Sequence, residues 1–124
     1  SFMGKIKDYG PFTKSGYFKE YYLVFDAYKC AKNSLKLDVW FTKNGNAALV
    51  FWNTTISGLD GRTILAEKLE SIGLLEEFEN KPSHNDNGYK KEFILGTGFQ
   101  TIQEVDKAVF EFVDQFFIKL RESQ

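Results

Sequence analysis

Few residues of this sequence combine the types and the spacing that catalysis requires. His84 is the only histidine and Cys30 the only cysteine, so neither has the second partner that a zinc site or an acid–base pair needs. Asp38 lies on a predicted strand, but the next strand, Ala47 to Trp52, has neither the acid nor the lysine of a Mg²⁺ nuclease site. We therefore predict no catalytic residue, no metal ligand and no cofactor, and we interpret Asp38 as a solvated strand residue.

The segment Gly96-Thr97-Gly98 lies between a predicted strand and a predicted helix. In phosphate-binding loops, backbone N–H groups at this position hold an anion. A third glycine of a dinucleotide loop would fall at Thr101, which is better explained as a helix cap, and no strand follows to supply the ribose-binding acid. A tight turn or bulge is the preferred interpretation, and an anion site is the alternative.

Aromatic side chains and lysines are concentrated toward the amino terminus. Residues 1–43 contain eleven of the 21 aromatic residues and eight lysines against four acidic residues, whereas residues 44–80 have a net charge of −4. Rings beside lysines suit a nucleic-acid surface, on which bases stack and phosphates are neutralised, but the same rings suit a core. The whole chain has 16 basic and 17 acidic residues, a balance unlike that of a dedicated nucleic-acid binder.

The spacing of apolar residues predicts an α+β domain with the element order α-β-β-α-β-α and a small, mainly antiparallel sheet covered by helices. Phe18, Tyr21, Tyr22 and Phe25 recur at the spacing of one helical face, so the first helix is predicted over residues 15–33. A long strand is the alternative for this segment, because tyrosine, phenylalanine and valine favour sheets.

Two apolar runs on either side of Asn44-Gly45 predict a β-hairpin. Asn-Gly is the preferred pair for a two-residue type I′ turn, because both central positions need a positive φ. The register of such a turn places Trp40 opposite Leu49, and it puts both residues with Phe51 on a face that is only half apolar. That face is either covered by another element or open to a ligand.

The rest of the chain predicts two more helices and one strand. The boundaries are a helix that starts at Ser57 or Asp60 and that Gly73 ends or bends, a strand from Tyr89 to Leu95, and a last helix that opens with a capping box, Thr101 to Glu104. The last helix has a regular apolar stripe that leaves Ile118 on its far side.

Length and composition bound the class of protein. A chain of 124 residues fits one domain. We interpret Ser1-Phe2 as a cloning remnant ahead of a single domain over residues 1–124, or ahead of the first domain of a longer protein.

No apolar run approaches the roughly twenty residues of a membrane span, so no membrane partner is expected. The single cysteine favours a reducing compartment, and we expect a cytoplasmic location. The oligomeric state is not indicated.

These patterns favour a non-catalytic intracellular binding module. The preferred hypothesis is a protein-interaction or inhibitor-type domain that uses the aromatic face of the sheet, because tyrosine and tryptophan anchor protein interfaces. The alternative is a nucleic-acid recognition domain, with an aromatic pocket and a rim of lysines, at the front of a larger protein. An enzyme ranks third. The candidate binding residues are Trp40, Leu49, Phe51, Tyr21, Tyr22, Tyr28, Lys29, Lys32 and Lys36.

Overall fold

Five antiparallel strands form one sheet, in which each strand pairs with the next strand in the sequence. The structure is a computed structural model and describes residues 12–17, 20–26, 35–42, 44–53, 55–56, 58–79 and 88–123, the first two ranges as backbone alone. The strands are β1 (Phe12–Tyr17), β2 (Glu20–Asp26), β3 (Leu35–Thr42), β4 (Ala47–Asn53) and β5 (Gly88–Phe93). The helices are α1 (Gly58–Ser71), a 3-10 helix (Leu75–Glu77) and α2 (Ile102–Glu122).

The predicted α+β class is confirmed, and from residue 35 onward the strands and α-helices follow the predicted order β-β-α-β-α. The first helix, predicted over residues 15–33, is wrong where the backbone is described, because β1 and β2 occupy residues 12–17 and 20–26. The sheet-forming residues 21–25 pair with β3, where the sheet supplies partners for their backbone groups. Residues 27–33 of the predicted helix lie outside the described residues.

The hairpin of β3 and β4 closes through a three-residue turn and not through the predicted two-residue turn. The Thr42 N–H donates to the Asn46 carbonyl at 3.0 Å, and the Gly45 N–H donates to the Thr42 carbonyl at 3.1 Å. Gly45 has a φ of +89°, the left-handed conformation of the residue that ends a turn of this kind. The register therefore differs by one residue from the predicted one, and Trp40 pairs with Ala48.

This register places Leu49 and Phe51 on the face of the sheet that packs against the helices. Both side chains are fully buried. The prediction that they share a face with Trp40 is wrong, because a shift of one residue exchanges the two faces of a strand. The Phe51 ring meets the Phe116 ring of α2 edge-on, with centroids 5.1 Å apart. The core beneath the helices includes Leu35, Leu37, Val39, Leu49, Phe51, Leu65, Leu69, Phe93, Val105, Val109, Val113, Phe116 and Leu120.

Gly73 ends α1, as the sequence predicts. It has a φ of +74°, and its N–H donates to the Glu70 carbonyl at 3.0 Å. The Leu74 N–H donates to the Leu69 carbonyl at 2.8 Å. This pair of hydrogen bonds is the Schellman arrangement, which supplies donors to carbonyls that the helix itself leaves unpaired.

The capping box predicted at the start of α2 is confirmed. The Thr101 hydroxyl accepts a hydrogen bond from the Glu104 N–H at 3.1 Å, and the Glu104 carboxylate accepts one from the Gln100 N–H at 2.7 Å. The far-side position of Ile118 is also confirmed, since this residue is exposed. The buried stripe of α2 is Val105, Val109, Val113, Phe116, Phe117 and Leu120. Neither α2 nor any other helix that the structure describes is long and apolar enough to cross a membrane.

β5 confirms the strand predicted over residues 89–95 and lies at one edge of the sheet. On its outer side, Lys90 exchanges two backbone hydrogen bonds with Glu79: the Glu79 N–H donates at 2.7 Å and the Lys90 N–H at 3.0 Å. Glu79, just after the 3-10 helix, is thereby bridged to the edge strand.

We expect Gly45→Ala to destabilise the fold more than Gly96→Ala does. The two glycines have almost the same φ, +89° and +90°, so each substitution has the left-handed cost of roughly 1–2 kcal/mol. A Cβ at position 45 would also lie 2.8 Å from Ile102 Cγ1, whereas none of the described atoms lies within 4 Å at position 96. Because Ile102 is 48% exposed and its side chain can shift, the crowding should add about 1 kcal/mol, the low end for overpacking, to the loss of unfolding free energy in urea. Equal losses for the two variants would contradict this close contact.

Candidate binding groove

The face of the sheet opposite the helices is built from rows of side chains that cross β3, β4 and β5. One row is formed by Trp40, Ala48 and Glu92, because Trp40 pairs with Ala48 and Ala48 pairs with Glu92. Residues that pair directly across antiparallel strands point to the same side of the sheet. The row therefore sets one indole, one methyl group and one carboxylate side by side.

The next row toward β3's amino end consists of Asp38, Val50 and Lys90. Asp38 is 1% exposed and Val50 is 4% exposed. The Trp52 Nε1–H donates to Asp38 Oδ1 at 3.0 Å, so this carboxylate has a buried donor. The interpretation of Asp38 as a solvated residue is wrong, because the middle of this face is buried and the indole N–H replaces water as a hydrogen-bond partner.

An open groove of about 330 Å³ lies at the Trp40 end of this face. Trp40 is half-buried: its Nε1 atom is inaccessible to solvent, while part of the indole lines the groove. The residues that line the groove are Trp40, Thr42, Asn46, Ala47, Ala48, Val50, Lys90, Glu92 and Ile94. The groove is thus mainly aliphatic and aromatic, with one cation and one anion from β5.

Hydrogen bonds hold one end of the groove in place. The Asn46 side chain accepts a hydrogen bond from the Leu95 N–H at 2.8 Å, which connects the hairpin turn to the segment after β5. The Asn46 N–H donates to the Thr42 hydroxyl at 3.2 Å. The hairpin turn and the segment after β5, which are 49 residues apart at this hydrogen bond, therefore fix this wall together, and the groove is formed before any ligand binds.

The predicted binding residues lie on two different faces of the sheet. Trp40 lines the groove, whereas Leu49 and Phe51 lie in the core on the opposite face and cannot contact a partner there. Lys36 is half-buried and pairs with Trp52, two positions along β3 from Asp38 and four from Trp40. Trp40 and Lys36 therefore share one face, on which Trp40 but not Lys36 lines the groove, and the other two residues lie on the opposite face.

The predicted binding residues of the amino-terminal part are described only in part. The backbone of β2 pairs Tyr21 with Phe41 and Tyr22 with Trp40. Tyr28, Lys29 and Lys32, also predicted to bind, lie outside the described residues.

The sequence analysis missed Lys90, Glu92 and Ile94 as residues of this surface. They alternate along β5 and the residue after it, and alternation places them on one side of a strand. The pattern was visible in the sequence. The pairing of β5 with β4, which sets these residues beside Trp40, joins segments about forty residues apart and has no local signal.

The Gly96-Thr97-Gly98 segment forms a tight turn, in agreement with the preferred interpretation. The Gly96 N–H donates to the Phe99 carbonyl at 2.7 Å, and the Thr97 N–H donates to the Ile94 carbonyl at 2.9 Å. The carboxylate of Glu104 already accepts the Gln100 N–H at the start of α2. These donors are used within the chain, and at the start of α2 it is the Glu104 carboxylate that accepts the Gln100 N–H.

Within the described part of the chain, no group of three or more histidine, cysteine, aspartate or glutamate side chains is placed to hold a metal ion. Comparisons with protein families, with curated proteins and with solved structures find no match. The candidate site therefore stands on its geometry alone.

We expect Trp40→Ala to cost much less stability than Phe51→Ala. Phe51 is fully buried against Phe116, and truncation of such a ring costs about 3–5 kcal/mol. Trp40 already exposes part of its surface to the groove, so its truncation should cost about 1–2 kcal/mol. Urea unfolding followed by circular dichroism measures both losses. A loss for Trp40→Ala as large as that for Phe51→Ala would make Trp40 a core residue and remove the groove as a candidate site.

Proposed function

We propose that this chain is a non-catalytic intracellular binding module that recognises a segment of a partner protein in the Trp40 groove. The observation that carries the proposal is the partly exposed indole of Trp40 in a preformed groove of about 330 Å³. This volume is at the lower end of the range for ligand pockets, and it suits a few side chains of a partner. Tryptophan in such a setting is typical of residues that dominate protein interfaces.

The charges of the groove face favour protein over nucleic acid. Lys36 and Lys90 are offset by Asp38 and Glu92, all from the same face of β3 and β5. Nucleic-acid surfaces collect positive charge because each phosphate contact releases a counterion. A carboxylate at the groove itself, from Glu92, would repel phosphates.

The chemistry of the groove favours binding over catalysis. Its charged groups are one lysine and one glutamate, and the described residues that line it contribute no histidine or cysteine. A nucleophile, a base and an orienting group are needed together for acyl transfer or hydrolysis. The intracellular assignment rests on the single cysteine, Cys30, which cannot form a disulfide within the chain and so favours a reducing compartment.

Selection from a displayed library of random peptides tests the proposal. Peptides selected on the wild-type chain should bind Trp40→Ala at least about tenfold more weakly, because loss of an interface tryptophan commonly costs more than 1.4 kcal/mol. Leu59→Ala is the matched control: Leu59 is a large apolar residue, 72% exposed and on α1, away from the groove. This variant should bind the same peptides as tightly as the wild type.

Two results would contradict the proposal. In the first, selected peptides bind the wild type and Trp40→Ala equally, so the groove is not their site. In the second, no peptide is selected while a single-stranded oligonucleotide binds with an affinity that falls steeply with salt, the behaviour of a phosphate-binding surface. Isothermal titration of each variant with peptide and with oligonucleotide distinguishes these two results.

A further inference from the structure

We infer that the partner segment is extended and carries an acidic residue, a basic residue and a large apolar residue at alternate positions. This inference rests on the proposed function and specifies its ligand. The structural basis is the juxtaposition of Lys90, Glu92 and Ile94 along one side of β5 and its continuation, all three at the groove.

The three side chains repeat at the spacing of an extended chain. Alternate residues of a strand lie about 6.5–7 Å apart on one face. An extended partner laid along β5 has the same repeat, so its alternate side chains can face Lys90, Glu92 and Ile94 one to one. Electrostatic complementarity then places an acid at Lys90 and a base at Glu92.

The partner residue that faces Ile94 should be apolar, because Ile94 lines the groove together with the Trp40 indole. Ile94 and Trp40 both line the groove from opposite sides of β4, and Ile94 lies one row beyond the row of Trp40, Ala48 and Glu92. A large apolar side chain that enters at this position removes the exposed part of the indole from water. The expected pattern is acid, any residue, base, any residue, apolar, read in one chain direction or in the other.

A helical partner fits this surface less well. A helix with its side chains is about 10 Å across, so it would touch only the rim of a groove of about 330 Å³. The side chains of one helical face also recur every three or four residues, about 5–6 Å apart, and do not match the repeat of β5.

The order of the two charges provides the test. In the double variant Lys90→Glu, Glu92→Lys, the net charge is unchanged and the bridge between Lys90 and Glu79 is retained, because that bridge uses backbone atoms alone. The probes are two synthetic peptides in which an acid, a base and tryptophan alternate with serine; the second peptide has acid and base exchanged. Circular dichroism checks that the double variant is folded.

The wild type should prefer the peptide with the acid opposite Lys90, and the double variant should prefer the exchanged peptide. A preference of about fivefold in each direction is expected, because two solvent-exposed ion pairs contribute little individually. The preference should shrink as salt is raised. The same preference, or none, in both proteins would overturn the inference.

The outcome also separates this inference from the proposed function. If both peptides bind equally but Trp40→Ala abolishes binding, the groove recognises protein segments without reading charge order, and the proposed function stands while the inference falls. If neither these peptides nor library-selected peptides bind, both fall.

Discussion

The pairing register between β3 and β4 decides which side chains of the sheet are buried and which line the groove, and the turn at Gly45 sets that register. Because side chains alternate along a strand, one extra residue in the turn exchanges the two faces. With the three-residue turn, Leu49 and Phe51 complete the core beneath α1 and α2, while Trp40 and Ala48 face the other side. The core and the candidate site are therefore two consequences of one backbone conformation.

The groove face combines a buried centre with an accessible end. Asp38 is buried at the centre, and its carboxylate accepts the indole N–H of Trp52, which lowers the cost of removing the charge from water. At the accessible end, Asn46 ties the hairpin to the backbone after β5. A wall held by hydrogen bonds to distant segments loses little further freedom on binding, so more of the contact energy is retained as affinity.

The sequence was sufficient to predict features that depend on neighbouring residues, and insufficient to predict those that depend on which strands pair and in which register. The capping box at Thr101, the glycine end of α1 at Gly73 and the apolar stripe of α2 depend on residues within a few positions, and all were predicted. The hairpin was predicted too, but Asn44-Gly45 is compatible with turns of two and of three residues, so its register was not determined locally. The aromatic spacing of residues 18–25 fits a helical face and a strand equally well, and pairing with β3 decided for the strand. The site residues from β5 required the same kind of long-range pairing.

The bridge between Glu79 and Lys90 makes it harder for a strand of another copy of the chain to pair with this edge of the sheet. An edge strand with open backbone groups is a template on which another chain can add a strand, and repeated addition leads to fibrillar aggregates. Here the N–H and carbonyl of Lys90 are occupied in the middle of the edge, and the strand carries three consecutive charged residues, Lys90, Lys91 and Glu92. Addition of a further strand at this edge is thereby disfavoured, and the flat of the sheet, where the groove lies, is the open surface beside it.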